Sequence, residues 1–447
     1  MKMIQMKQRF IYLCMIILLL STFQLNANTP LTLNEYLERV KNYSKDIKMA
    51  ERDIQLAGAE KKAAYSLALP KVMGQADYKR NLNDYYMYID MPLPLPGLEG
   101  ASKFKVNRNN EFSANLVVSQ TLFSFKVGTA ITAAKQYEKL TNYIYDASLQ
   151  EILTAAKKVF YQVLLLDHVV NVSSESEKAA RENYLNIKNK YENGLVSEFE
   201  LLRAEVQWKD LVPKVSEAKR NYQIALIQLK HLAGIPDGQE ITLKGSFMPL
   251  PTISDSIAFS EVLSRRPDYN ALRWEEKLRK TNVKAQWAEH LPSLSGSLIY
   301  NFSAQSDQWA LDEQNNLYVA GLTLSVPIFT GFYTTSQVQK AKLELEKTRL
   351  NMQKTRDNIS MELKNLWLKL QEAQQRIRSA ESMINSAEKA YLIAERSVES
   401  GLATQLDLKD ARVAKDQAKL NYYNAVFEYL CAYFDYQKAS GRFNIRF

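Results

Sequence analysis

Asp407 and Asp410 begin a polar seam that continues through Gln417, Asn421, Asn424 and Glu428, with Ala414 between them. Steps of three and four put such residues on one face of a helix. On a lone helix the seam is simply a solvated side. In a ring of copies it lines a water-filled bore, and the two aspartates become stacked carboxylate rings that favour cations. Other chemistry is poorly supplied. His168, His231 and His290 are scattered, and the two cysteines, Cys14 and Cys431, cannot make a disulfide framework. No HExxH, CxxC, GxSxG or glycine-rich phosphate loop occurs. No enzymatic activity, metal site or cofactor is expected.

The elements that must hold such a seam are helical. Of 447 residues, 46% are hydrophobic and 24% charged, which excludes a disordered tail. Glycine (14) and proline (12) are scarce, which favours long helices over a turn-rich sandwich. The formal charge of +9 is mild for this length, and basic and acidic residues interleave, so no nucleic-acid partner is expected.

Lys2, Lys7 and Arg9 precede an apolar run from Phe10 to Leu20, and Leu25-Asn26-Ala27 offers a small residue for cleavage. This is the layout of a secretory signal peptide over residues 1–27. Its removal takes Cys14 and leaves a net charge of +6, with Cys431 a lone thiol expected to be packed. The apolar run is shorter than the roughly 20 residues of a spanning helix, and no later stretch is apolar enough. A mature chain that crosses a membrane must therefore do so as a closed β-barrel.

The two halves resemble each other. The segment beginning Gly194-Leu195-Val196-Ser197 matches the one beginning Gly401-Leu402-Ala403-Thr404 at an offset of 207, which also carries Gly234 onto Gly441. Leu69-Pro70 recurs as Leu291-Pro292, and Gln120-Thr121-Leu122-Phe123 as Val326-Pro327-Ile328-Phe329. The chain thus reads as two structural repeats, 28–255 and 256–447. Each runs helix, strand, loop, strand, very long helix, tight tip, returning helix. The first has a helix at 31–68, strands near 71–82 and 111–122, a helical hairpin over 126–233 and a connector at 235–255. The second has a short helix at 256–264, a helix at 268–290, strands near 293–303 and 317–328, and a helical hairpin over 333–439.

Alternation marks the strands. Leu294, Gly296, Leu298, Tyr300 and Phe302 oppose Ser293, Ser295, Ser297 and Asn301; Phe112, Ala114, Leu116 and Val118 oppose Ser113, Asn115 and Ser119; Tyr318, Ala320, Leu322, Leu324 and Val326 oppose Gly321, Thr323 and Ser325. Tyr85, Tyr86 and Tyr88 at one end and Phe123, Phe125, Phe329 and Phe332 at the other resemble interfacial girdles. A soluble sheet packed on helices gives the same alternation. In lipid, four strands cannot close a barrel, so the chain would have to oligomerise: two copies give eight strands and three give twelve. The outer loops are then 83–110, with Met91-Pro92-Leu93-Pro94-Leu95-Pro96, Lys103, Lys105 and Arg108, and 304–316.

The long helices carry stripes at steps of three and four, the signature of left-handed coiled coils. One runs Leu363, Leu366, Leu370, Ala373, Ile377, Ala380, Ile384, Ala387, Tyr391, Ala394, Val398. Its counterpart, Ala156, Val159, Val163, Leu166, Val170, Ser173, Glu177, Ala180, Tyr184, Ile187, Tyr191, is broken at Ser173 and Glu177. Gly194 and Gly401 stop the outgoing helices, and Ser197 and Thr404 can cap the returning ones. Each tip is then a compact helical hairpin suited to docking partner helices.

In this order the features resemble the TolC family of outer-membrane efflux proteins. The resemblance rests on the duplication, the paired strands and the tips Tyr191-Glu192-Asn193-Gly194-Leu195 and Glu399-Ser400-Gly401-Leu402. It implies a mainly α fold with a membrane β-barrel part: antiparallel coiled-coil hairpins forming a periplasmic α-barrel, and four strands per chain in a shared twelve-stranded outer-membrane barrel. It implies a homotrimer in outer membrane lipid that serves as a passive exit duct of a tripartite efflux or type I secretion system. Its partners would be a periplasmic adaptor (membrane fusion) protein and an inner-membrane transporter of RND, ABC or MFS type. Asp407 and Asp410 fall at the family's entrance aspartate ring, and Glu200 at an acidic latch position. The latch partners are here Val398 and Ala403, which leaves apolar contacts such as Leu406 to close the entrance. Gly194, Leu195, Val196, Ser197, Gly401, Leu402, Ala403 and Thr404 match the adaptor-docking turns. The alternative from the residues alone is a soluble periplasmic coiled-coil adaptor or structural protein.

Overall fold

The computed structural model describes residues 30–89, 102–252 and 257–443. The expected signal segment 1–27, with Cys14, and the proline-rich run Met91 to Pro96 lie outside the described residues. In chain order the strands are β1 (Leu31–Thr32), β2 (Lys71–Arg80), β3 (Tyr86–Ile89), β4 (Ser102–Lys105), β5 (Asn110–Ser124), β6 (Leu243–Lys244), β7 (Ser293–Ser306) and β8 (Asn315–Ser325). The helices are α1 (Leu33–Tyr43), α2 (Lys45–Ser66), α3 (Phe125–Glu192), α4 (Glu198–Ala233), α5 (Phe259–Arg265), α6 (Pro267–Trp287), α7 (Tyr333–Glu399) and α8 (Gln405–Ala439). No helix among the described residues is long and apolar enough to cross a membrane.

The chain forms two compact units, each drawing on both halves of the sequence. One comprises residues 1–51, 145–267 and 356–447; the other comprises 52–144 and 268–355.

The first unit is a helical assembly whose core gathers Tyr36, Leu37, Phe160, Val163, Leu229, Leu370, Ile377 and Val426. Its N-terminal segment departs from the single helix expected over 31–68. Leu31 and Thr32 instead pair in parallel with Leu243 and Lys244. Thr32 then caps α1 through a reciprocal box with Glu35, and Ser44 breaks the helix by accepting the Ile47 N–H. The α7 stripe is buried where the heptad pattern places it, at Leu370, Ala373, Ile377 and Ala380. The α3 stripe is buried where expected at Ala156, Val163, Ala180 and Ile187 and shifts by one residue at three places, where Phe160, Val172 and Ser176 are buried and not Val159, Ser173 and Glu177. Phe160 turns inward because its ring meets Tyr36 at 5.8 Å. Glu177 is half-buried and accepts the Trp208 indole N–H at 2.6 Å. Cys431 is half-buried, and burial pushes its thiol up to about 11.

The second unit holds an antiparallel sheet in the order β2-β5-β7-β8. Register decides what each face carries. Val72, Val118, Leu298 and Ala320 stand in one row, and Gly74, Leu116, Tyr300 and Tyr318 in the next. A bulge between Thr121 and Phe123 keeps Phe123 level with Leu294 and Leu324, so this face is mostly apolar; Gln120 stands in the row of Gly296 and Leu322, Asn316 in that of Phe302, and Arg80, Asn110 and Ser306 form a polar row at the loop end. The opposite face carries Lys71, Ser119, Ser297 and Gly321 in one row, and Asp77, Ser113, Ser303 and Asn315 in another. One row on it was not expected. Met73, Val117, Ile299 and Val319 align across all four strands as an apolar band between polar ones. β8 ends at Ser325, short of the expected 328, because Pro327 offers no N–H to the ladder.

At the loop end of the sheet, β3 and β4 pair as a hairpin. Lys103 lies over the Tyr86 ring at 3.8 Å. Lys105 bridges Asp84 at 2.8 Å and Asp307 at 3.4 Å, while Arg108 pairs with Asp307 and Glu313. The loops expected to be merely external are thus joined by an ionic network.

Candidate functional site

The two helical tips are built alike because their punctuation is alike. Gly194 and Gly401 take φ of +70° and +73°, the left-handed conformation glycine adopts without a Cβ clash. Each closes a Schellman motif. The Gly194 N–H donates to Tyr191 O at 2.8 Å and that of Leu195 to Lys190 O at 2.9 Å. At the second tip Gly401 donates to Val398 O at 3.1 Å and Leu402 to Ser397 O at 2.8 Å. Ser197 and Thr404 then cap α4 and α8 by accepting the backbone N–H groups of Glu200 and Asp407. Leu195 and Leu402 are left bare, at 74% and 84% exposure, with Phe199 beside the first. Val196 and Ala403 are half-buried.

Asp407 caps its own helix in this geometry. Its carboxylate accepts from the Thr404 hydroxyl at 2.7 Å and from the Thr404 backbone N–H at 2.8 Å, completing a capping box. The Thr404 hydroxyl, then the Thr404 N–H, hold the carboxyl below its usual range; the positive charge of Arg203 adds to this. The cap therefore contributes stability above the unfolded carboxyl value of about 3.9 and loses it as pH falls through the lower folded value. Asp410 is exposed one turn on, Leu406 is 39% exposed, and Glu200 is half-buried with no side-chain hydrogen bond or ion pair among the described residues.

Farther along α8 the seam is continuous. Gln417, Asn421 and Asn424 are exposed, and Gln417 donates to Asn421 at 2.9 Å. A stretch of α7 joins it, which the sequence reading missed. Glu372, Gln375, Arg376 and Met383 line a groove of about 590 Å³ together with Asn421 and Asn424. Arg376 pairs with Glu428 across the groove. The signal for this was weak, since alternating charges on α7 look like any solvated face. Among the described residues, no group of three or more His, Cys, Asp or Glu is placed to hold a metal.

Long helical hairpins with capped, apolar tips and an antiparallel sheet bare on its apolar face are the architecture of an outer-membrane channel protein. The chain belongs to the outer membrane efflux protein family, whose model matches residues 36–235 and 258–441. The outer membrane protein TolC of Vibrio cholerae is 22% identical over 260 residues, 56% of this chain and 59% of that protein. The alkaline protease secretion protein AprF of Pseudomonas aeruginosa is 22% identical over 246 residues, 53% of this chain and 50% of that protein. The chain thus spans half to three fifths of the length of these relatives. In structure it is similar to the CmeC outer membrane channel of Campylobacter jejuni, with a TM-score of 0.77 at 22% identity, covering 92% of this chain and 85% of that one. The protein is an outer-membrane protein with its helical part in the periplasm, and its family is one of channels.

Proposed function

We propose that three copies of this chain assemble into a passive exit duct. The duct docks through its tips to a periplasmic adaptor and an inner-membrane pump in a tripartite efflux or type I secretion system. The observation that carries the reading is the four-stranded sheet. Its apolar face is bare, with Leu298, Tyr318 and Leu322 all at least 60% exposed, and among the described residues β2 and β8 each have one unpaired edge. Open edges in lipid leave backbone groups unsatisfied; closure with neighbouring copies satisfies them. Three chains give twelve strands, and the polar face then surrounds an aqueous bore. Residues 1–27 direct export and are removed, and the duplicated units 28–255 and 256–447 each supply two strands and one hairpin. The cargo class is drugs, toxic ions or proteins, and the similarity to a protease secretion protein supports the last of these. Purified in detergent, the mature chain is expected to have three times its monomer mass and to form ion-conducting pores in planar bilayers. A detergent-free monomer without pores would support the periplasmic-rod alternative and overturn the duct.

Tip docking has its own test. A Cβ at Gly401 meets nothing within 4 Å, so the penalty of substitution is backbone strain. For a β-branched residue at this φ it is about 1–2 kcal/mol. Gly401→Val is expected to lower export at least several-fold while trimers still reach the outer membrane; Gly401→Asn, which tolerates the left-handed region, is expected to keep most of it. Normal export by Gly401→Val would remove the tip from the docking surface.

A further inference from the structure

At the loop end of the sheet a buried asparagine organises a surface that the duct reading leaves unused. Asn110, the first residue of β5, is 1% exposed. Its side-chain oxygen accepts from the Tyr78 hydroxyl at 2.9 Å and from Arg80 Nη1 at 2.7 Å. Its amide donates to the backbone oxygens of Ser306 at 3.1 Å and Gln308 at 2.8 Å. One carboxamide thus fixes the end of β2 and the turn that carries Trp309.

The result is a three-ring cluster. Tyr78 and Trp309 stand edge-on with centroids 4.8 Å apart, Phe112 and Trp309 at 5.3 Å, and Tyr78 and Phe112 at 5.1 Å. Trp309 remains 73% exposed. Register places Tyr78 opposite Phe112 on the apolar face. Arg80 is two residues farther along β2 and is exposed, with no carboxylate partner among the described residues. Farther down the same face, Leu116, Val118, Leu298, Tyr300 and Ala320 line a shallow apolar hollow of about 310 Å³.

We propose that Arg80 and the Tyr78–Phe112–Trp309 cluster form a docking site for an anionic phospholipid, one whose phosphate charge no choline balances, with its headgroup on Arg80 and its acyl chains along the apolar face. The chemistry is complementary at both ends. A guanidinium pairs with phosphate through two parallel N–H donors. Indole and phenol rings favour the boundary between hydrocarbon and headgroups. The organising hub matters because rings and guanidinium are held in place before the lipid arrives, which lowers the cost of ordering them. The proposal rests on the reading of the apolar face as the lipid-facing one.

The test uses the whole mature protein in phosphatidylcholine vesicles containing a minority of brominated phosphatidylglycerol or brominated phosphatidylcholine. The signal is the Trp309 fluorescence obtained as the difference between the wild type and Trp309→Phe. It is expected to be quenched at about a tenfold lower fraction of phosphatidylglycerol than of phosphatidylcholine, the scale of one charge-assisted pair. Arg80→Gln should abolish that preference and leave the phosphatidylcholine curve unchanged; Arg80→Lys should keep part of it. Equal quenching by the two lipids in the wild type, or an unchanged preference in Arg80→Gln, overturns the proposal. So does loss of the preference in low millimolar inorganic phosphate, which would identify a free-anion site. Pore conductance is recorded in the same vesicles. Pores without a lipid preference overturn this site alone, whereas absence of pores overturns the duct on which it rests.

Discussion

A chain carrying Leu298→Arg is expected to disappear from the outer-membrane trimer pool, whereas Ser297→Arg, one residue away, assembles. Successive residues of a strand face opposite ways, so the two substitutions place the same charge on opposite faces. Leu298 stands in the apolar row with Val72, Val118 and Ala320 and is 60% exposed in the single chain. An arginine at the middle of a lipid-facing strand costs about 2–4 kcal/mol, and each trimer would carry three. Ser297 stands with Lys71, Ser119 and Gly321, where a basic residue already occurs and water would hydrate a second. The measurement is the amount of folded, protease-resistant trimer in outer-membrane fractions. At least a tenfold loss for Leu298→Arg with near-normal Ser297→Arg is expected. Equal tolerance of both, or the reverse order, would refute the assignment of the sheet's faces.

That assignment was largely legible in the sequence, because strand alternation survives without knowledge of partners. The helical hairpins were legible for a related reason. Gly194 with Ser197, and Gly401 with Thr404, punctuate the chain so sharply that α4 and α8 begin where the caps place them. What stayed hidden depended on partners far away in sequence. Ile299 looks like an irregularity among serines until register aligns it with Met73, Val117 and Val319. Phe160 is fully buried and Val159 only half-buried beside it, because Tyr36, more than a hundred residues earlier, supplies the ring that Phe160 meets. Asn110 reads as a polar residue before a strand; its four hydrogen bonds go to β2, to the last residue of β7 and to the turn after it. Asp407 and Asp410 were visible as a pair on one helix face, but the capping role of Asp407 was not, although Thr404-x-x-Asp407 has the spacing of a capping box.

That capping role changes how the carboxylate rings should be tested. Asp407→Ala would remove charge and cap together, so any change in the pore would have two causes. Asp407→Asn with Asp410→Asn removes both charges, while the Asn carbonyl oxygen can still accept the Thr404 N–H now 2.8 Å from the carboxylate. In the trimer this deletes six negative charges from the narrow end of the bore, where fixed charge acts on ions over distances near or below a Debye length of about 8 Å. The double variant is expected to lose most of its cation preference, measured as a shift of the zero-current potential in a salt gradient, by several-fold in permeability ratio. Single-channel conductance should rise, because bound cations no longer linger at the entrance. The effect should fade as salt rises and screening shortens. Thr404→Val, by contrast, unties the cap and leaves the charges, so it should loosen the tip with cation selectivity retained. If the asparagine pair leaves selectivity unchanged, the seam on α8 is a solvated helix face and the charge filter lies elsewhere in the duct.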